Sequence, residues 1–201
     1  MSTNYNNNES VYNAPAADLG DLEQHDLIDK NAFFVVSRTK LIILSFCTLN
    51  LYLIYWFYRN WKLQKDNADF DCTPIVRAIF NIFFTHSLFA QVNDALQSKG
   101  IACRASGLMA TFYVITIVVS ALTNRWEPSV DQLALYVVFF LATIALILLP
   151  IWYVQDRINQ VCDDPQGAQN AALTLTNWIF ILLGLIYWGF VFMGIFISFI
   201  G

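Results

Sequence analysis

The sequence predicts an all-α, polytopic membrane protein with three full transmembrane helices, a membrane hairpin or short span at residues 38–62 and an interfacial helix at residues 74–97. Three observations predict it. The chain is 57% hydrophobic and only 13% charged, against roughly 25% charged residues in soluble domains. Four stretches, 41–58, 105–124, 132–155 and 168–201, contain no Asp, Glu, Lys or Arg. The last three reach the roughly 20 helical residues needed to cross a hydrocarbon core about 30 Å thick. Nine of the eleven Lys and Arg residues lie between Lys30 and Arg104, a segregation that constrains topology. Helices follow because an open sheet would leave backbone groups unpaired in lipid.

Residues 1–32 read as a disordered, polar and acidic cytoplasmic tail: Asn-rich at first, then with five acids between Asp18 and Asp29. No signal peptide is visible there, so the first apolar segment is expected to act as an uncleaved insertion signal. Residues 33–201 read as one α-helical membrane domain. Ser37 precedes an apolar run and is placed to cap a helix starting at Arg38. The run 41–58 carries Arg38 and Lys40 before it and Arg59, Lys62 and Lys65 after it. A straight crossing would put one basic cluster outside. A turn at Thr48-Leu49-Asn50, with Asn50 suited to a left-handed conformation, makes a hairpin that keeps both inside; one short straight span is the alternative. Thr73-Pro74 starts a helix over 74–97, whose uncharged part, residues 78–93, is short for a crossing and reads as an interfacial helix or wedge. Residues 105–124 form a span. Ser129 and Gln132 suit a capping box for the next helix, which Pro150 should kink before it continues through 152–161 into water. Residues 162–168 form a loop, and the last span covers 175–200. With hairpin and interfacial helix, ten bases share one side and only Arg125 is outside. Five straight crossings would split them six against five. The positive-inside rule prefers the first plan, with a cytoplasmic N-terminus.

The stretch from Phe33-Phe34-Val35-Val36-Ser37 through Tyr52, Tyr55-Trp56-Phe57-Tyr58-Arg59-Asn60-Trp61 resembles a family of small bacterial integral membrane proteins of unknown function. That family has a Leu-Tyr-x-x-Tyr-Trp-Phe-Tyr-(Lys/Arg)-Asn-Trp signature and usually Gly at the position of Asn50. The likeness continues softly through Gln155, Ile158, Asn159 and Asn177-Trp178. It implies a bacterial inner-membrane location and no established activity. Tyr12, Pro15, Ala17 and Leu19 are similar to a Tyr-x-x-Pro-x-Ala-x-Leu element at the start of many unrelated Gram-negative inner-membrane proteins, and make a candidate docking motif.

Tyr52, Tyr55, Trp56, Tyr58, Arg59, Asn60, Trp61 and Lys62 form a dense amphipathic cluster. It reads as a lipid- or partner-binding surface, or as the aromatic belt that Trp and Tyr form at any membrane interface. The bases beside it suit anionic headgroups. His86 is a lone membrane-level histidine, and Arg77 is placed to pair with Asp71 or Asp94 or to snorkel. No carboxylate lies inside a full span, which disfavours ion-coupled transport. No phosphate loop, metal helix or nucleophile elbow occurs; Cys47, Cys72, Cys103 and Cys162 are too dispersed for a metal or disulfide framework; and a basic nucleic-acid footprint is absent. No catalytic residue, metal or cofactor is assigned. Gly184, Gly189 and Gly194 turn onto different faces of the last span, compatible with a homo-oligomer. The reading is a non-enzymatic inner-membrane protein that binds a partner complex, itself or membrane lipids, or organises the membrane. The alternatives are a homo-oligomeric pore lined by Thr111, Thr116, Ser120, Thr143 and Asn177, and a lipid-modifying enzyme using Asp156, Asp163 and Asp164.

Overall fold

The computed structural model describes residues 31–67, 71–101 and 106–200, and the side chains among them up to residue 197. The candidate docking motif Tyr12, Pro15, Ala17 and Leu19, the acids between Asp18 and Asp29, Cys103 and Arg104 lie outside the described residues. The described elements are all helical: α1 (Arg38–Cys47), α2 (Leu51–Asn67), α3 (Pro74–Ile79), α4 (Asn81–Ser98), α5 (Ser106–Thr123), α6 (Leu133–Val161) and α7 (Leu175–Ile200). Three of them are long and apolar enough to cross a membrane: Ser106–Thr123, Val130–Val161 (α6 with the turn before it) and Leu175–Ile197. Little of the first and third is covered by protein, since 17% of each is buried, which suits faces turned to lipid.

The hairpin turn is built from three residues. Ser37 opens α1, its hydroxyl accepting from the Lys40 N–H at 3.3 Å. At the far end the chain enters the left-handed region twice, at Leu49 (φ 52°) and Asn50 (φ 67°). The Asn50 N–H reaches back to the Ser45 carbonyl at 2.7 Å and the Leu49 N–H to that of Phe46 at 3.3 Å, the paired bonds of a Schellman ending. Thr48 joins both helices: its hydroxyl donates to the Leu44 carbonyl at 2.7 Å and accepts from the Tyr52 N–H at 2.9 Å. The sequence points to Thr48 and Asn50, but Leu49 takes the first left-handed position. The chain then doubles back, because Asn60 on α2 bonds Phe34 just before α1.

The helical segment after α2 differs from the single helix expected over 74–97. It breaks at Phe80 (ψ 36°) into α3 and α4. Near its start, the Cys72 thiol donates to the Trp61 carbonyl at 3.7 Å. At the break, Ile79 and Asn81 share a small cavity with Asn50 and Leu53 of the hairpin turn. The Asn81 side chain accepts from the Tyr113 hydroxyl at 2.8 Å and donates to the Ala78 carbonyl at 3.0 Å. From there α4 returns along α5 and α6, until Lys99 pairs with Asp163 at 3.2 Å. Without Gly or Pro at Phe80, helix propensity gives no sign of the break; the Asn81 bonds to Tyr113 and Ala78 hold it.

The core lies where the segment before α1, the second half of α2, α4 and the end of α6 meet, around Val36, Trp56, Trp61, Leu88, Ile151 and Ile158. The last turns of α6, expected in water, are instead covered: Val154, Gln155, Ile158, Asn159 and Val161 are all buried. On α7 the three glycines differ. A Cβ on Gly184 would overlap the Cys47 carbonyl of α1, while Gly189 and Gly194 face open space. Gly184 thus marks a close approach of α1 and α7.

Candidate functional site

The organising feature of this end is a buried extended peptide. Residues 33–36 are buried and extended, so among the described residues no helix or sheet ladder satisfies their backbone groups, and each buried orphan would cost about 1–3 kcal/mol. Amide side chains take that role. Asn60 Oδ1 accepts from the Phe34 N–H at 3.0 Å. Gln64, Gln155, Asn170 and Asn159 donate to the carbonyls of Ala32 (2.8 Å), Phe34 (3.1 Å), Val35 (3.1 Å) and Val36 (3.1 Å). The amides are themselves linked: Gln155 donates to Asn159 Oδ1 at 2.7 Å and accepts from Trp56 Nε1 at 2.5 Å, and Asn60 donates to the Trp56 carbonyl at 2.9 Å. Asn67 adds a bond to the Asn31 carbonyl at 2.9 Å, so the folded domain takes in Asn31 and Ala32.

This clamp divides the predicted aromatic cluster in two. Trp56, Asn60 and Trp61 are fully buried and serve the core rather than a binding surface or a belt. Tyr52, Tyr55, Tyr58, Arg59 and Lys62 lie on the opposite, outer side of α2, half-buried or exposed. Composition could not separate the groups, since both are aromatic and polar.

Tyr52 and Tyr55 open onto a cavity of about 500 Å³ between the hairpin, the loop before α7 and the start of α7. Its walls are largely apolar (Phe34, Leu44, Leu51, Phe180), with Lys40, Asn170, Thr174 and Asn177 among its polar lining. Lys40 is 5% exposed. Its ammonium donates to Asn170 Oδ1 at 2.6 Å and to the Ala172 carbonyl at 2.8 Å. Among the described residues no carboxylate pairs with it. The Tyr52 hydroxyl is also buried and lacks a hydrogen-bond partner among the described residues. A neighbouring cavity of about 360 Å³ is lined by Arg59, Tyr55, Phe33 and Gln169, with the Arg59 guanidinium 5.3 Å from the Phe34 ring centre. Sequence reading counted Lys40 only as a flanking base. The available signal was its place four residues before Leu44, on the apolar face of α1.

The remaining candidates are engaged separately. Asp156 pairs with Arg38, and Asp163 with Lys99. Asp164 accepts from the N–H groups of Ala168 at 2.9 Å and Gln169 at 2.8 Å, so these acids do not converge on one point. Arg77 lies over the rings of Trp61 and Phe84, at 4.4 and 4.8 Å. His86 Nε2 is 3.1 Å from the Thr111 hydroxyl. The Thr111, Thr116 and Thr143 hydroxyls donate to carbonyls one turn back in their own helices. Asn177 caps α7, its Oδ1 accepting from the Thr174 N–H at 3.0 Å.

The backbone bonds to Gln169 and Ala168 hold the Asp164 carboxyl below its ordinary value of 3.8. A depressed folded pKa stabilises the fold above the unfolded value and loses that contribution as pH falls through the folded one. Melting profiles in detergent are therefore expected to show Asp164→Asn less stable than the parent at pH 7, with the difference shrinking below about pH 4. A difference constant from pH 7 to pH 3 would contradict this.

Comparison with protein-family models, with curated proteins and with solved structures gives no match.

Proposed function

We propose that this is a non-enzymatic multi-pass protein of a bacterial inner membrane that organises the cytoplasmic leaflet. The observation that carries the reading is the pair of bent insertions. Both α1–α2 and α3–α4 turn back at one level, where Asn50 and Asn81 share a cavity. Their basic flanks, including Arg38, Lys62 and Lys99, lie toward the opposite end, with the clamped segment. Placed in a bilayer by the positive-inside rule, that end is cytoplasmic, α5, α6 and α7 are the full spans, and Arg125 is outside. The two bends then fill one leaflet and leave the other to three helices. Such asymmetry favours curved membrane or a partner complex seated on the cytoplasmic face, and the outer side of α2, with Tyr58, Arg59 and Lys62, is the surface offered to headgroups or that partner.

The test is single-cysteine labelling with a membrane-impermeant maleimide, at positions 38, 62 and 125 in a background without the native cysteines. Positions 38 and 62 should react from one side and 125 from the other. Reaction of 38 and 62 from opposite sides would overturn the arrangement and the leaflet asymmetry with it.

A further inference from the structure

We infer that the cavity between the hairpin and the start of α7 binds one chain of an anionic phospholipid, with Lys40 at the headgroup end. The inference deepens the proposed function and rests on its placement of the hairpin in one leaflet. The charge on the cavity wall points to a ligand. Lys40 is a buried cation whose hydrogen bonds, among the described residues, go only to neutral oxygens. An ammonium has three donors, and removing it from water without a counter-charge is costly; a phosphate supplies both the missing charge and a further acceptor. Tyr52 lines the same wall, and its hydroxyl is buried with no hydrogen-bond partner among the described residues.

The rest of the wall selects hydrocarbon. About 500 Å³ lies within the range of roughly 300–1,000 Å³ typical of built small-molecule sites, and Phe34, Leu44 and Phe180 offer no polar side-chain groups. Access favours a membrane source over a soluble amphiphile. Leu51, at the tip of the hairpin, is 67% exposed, and Phe180, inside the apolar stretch of α7, is 49% exposed. The mouth therefore opens sideways onto the hydrocarbon, where a lipid chain can enter without leaving the bilayer.

The experiment is native mass spectrometry of the full chain in mild detergent, titrated separately with phosphatidylglycerol, phosphatidylcholine of the same acyl chains, and oleate. Phosphatidylglycerol should occupy one site at least about fivefold more tightly than phosphatidylcholine, the gain expected for one base near an anionic headgroup. Lys40→Met should abolish the preference. Because that change also removes the bonds to Asn170 and Ala172, a second variant is needed: Thr176 lines the cavity and is exposed, and Thr176→Trp should weaken both lipids while leaving the melting temperature unchanged. Equal affinity for the two phospholipids, undiminished binding by Thr176→Trp, or saturation by oleate without phospholipid binding would each overturn the inference. The labelling pattern at positions 38 and 62 is read without any lipid titration, so a correct topology with unselective lipid binding would sink the site alone.

Discussion

Gln155→Leu is expected to cost the folded protein about 3 to 5 kcal/mol, because one substitution strands three buried groups at about 1–3 kcal/mol each. Gln155 is fully buried and has both halves of its amide engaged. It accepts from Trp56 Nε1 at 2.5 Å and donates to the Phe34 carbonyl at 3.1 Å and to Asn159 Oδ1 at 2.7 Å. Leu fills a similar volume and returns none of these bonds. Packing loss alone would cost less, since near-isosteric swaps usually stay below about 1.5 kcal/mol. A double-mutant cycle separates the causes. Trp56→Phe alone strands the Gln155 carbonyl and Gln155→Leu alone strands the indole N–H, so the pair Trp56→Phe/Gln155→Leu leaves two fewer orphans than the singles predict. Its cost should fall short of their sum by about 1 kcal/mol or more. Equilibrium unfolding in mixed micelles measures all three variants. A single-variant cost below about 1 kcal/mol, or strict additivity, would mean that the amide clamp does not hold the extended segment.

What could be read from the sequence follows from how local each signal is. The spans at 106–123, 133–161 and 175–200 announce themselves because a bilayer excludes charge over some 20 consecutive residues, and the runs are free of Asp, Glu, Lys and Arg within it. The bend at 48–50 was legible for a related reason: it sits midway in a run with bases on both flanks, and Asn50 tolerates a left-handed backbone. The break at Phe80 was not, because what holds it is the Asn81 bond to Tyr113, thirty-two residues away in the chain. The clamp was invisible for the same reason. Asn60, Gln155, Asn159 and Asn170 look like surface polar residues until the fold brings residues 32–36 between them. Trp56 and Trp61 misled because a belt and a core use the same side chain, and only the helical face separates them. Lys40 misled in the opposite direction. A lysine at a helix start reads as a topology signal, and its burial depends on the loop at 168–174 closing over it.

That loop closes at Gly167, and Gly167→Ala should be among the most damaging single-atom additions in the protein. Gly167 has φ +65°, a conformation that an L side chain adopts at a cost of roughly 1–2 kcal/mol. Its ideal Cβ would also stand 2.5 Å from the Val36 carbonyl carbon and oxygen and 2.6 Å from the Ser37 nitrogen. Those atoms are backbone and have no rotamer by which to move aside. Val36 is tied to Asn159 at 3.1 Å, and Ser37 opens α1, so any retreat pulls on the clamp and the hairpin together. Overpacking of this kind costs about 1–3 kcal/mol more. Gly100 supplies the control: it has φ +72° and nothing within 4 Å of the same added atom, so Gly100→Ala carries the conformational cost alone. Unfolding of the two variants under identical micelle conditions should place Gly167→Ala well below Gly100→Ala in stability. The Gly167 variant should also lose lipid selectivity at Lys40, since Asn170 and Ala172 hold that ammonium from the same loop. Equal losses in the two variants would show that the backbone of 36–37 yields freely, and the rigid seating of the extended segment against this loop would have to be abandoned.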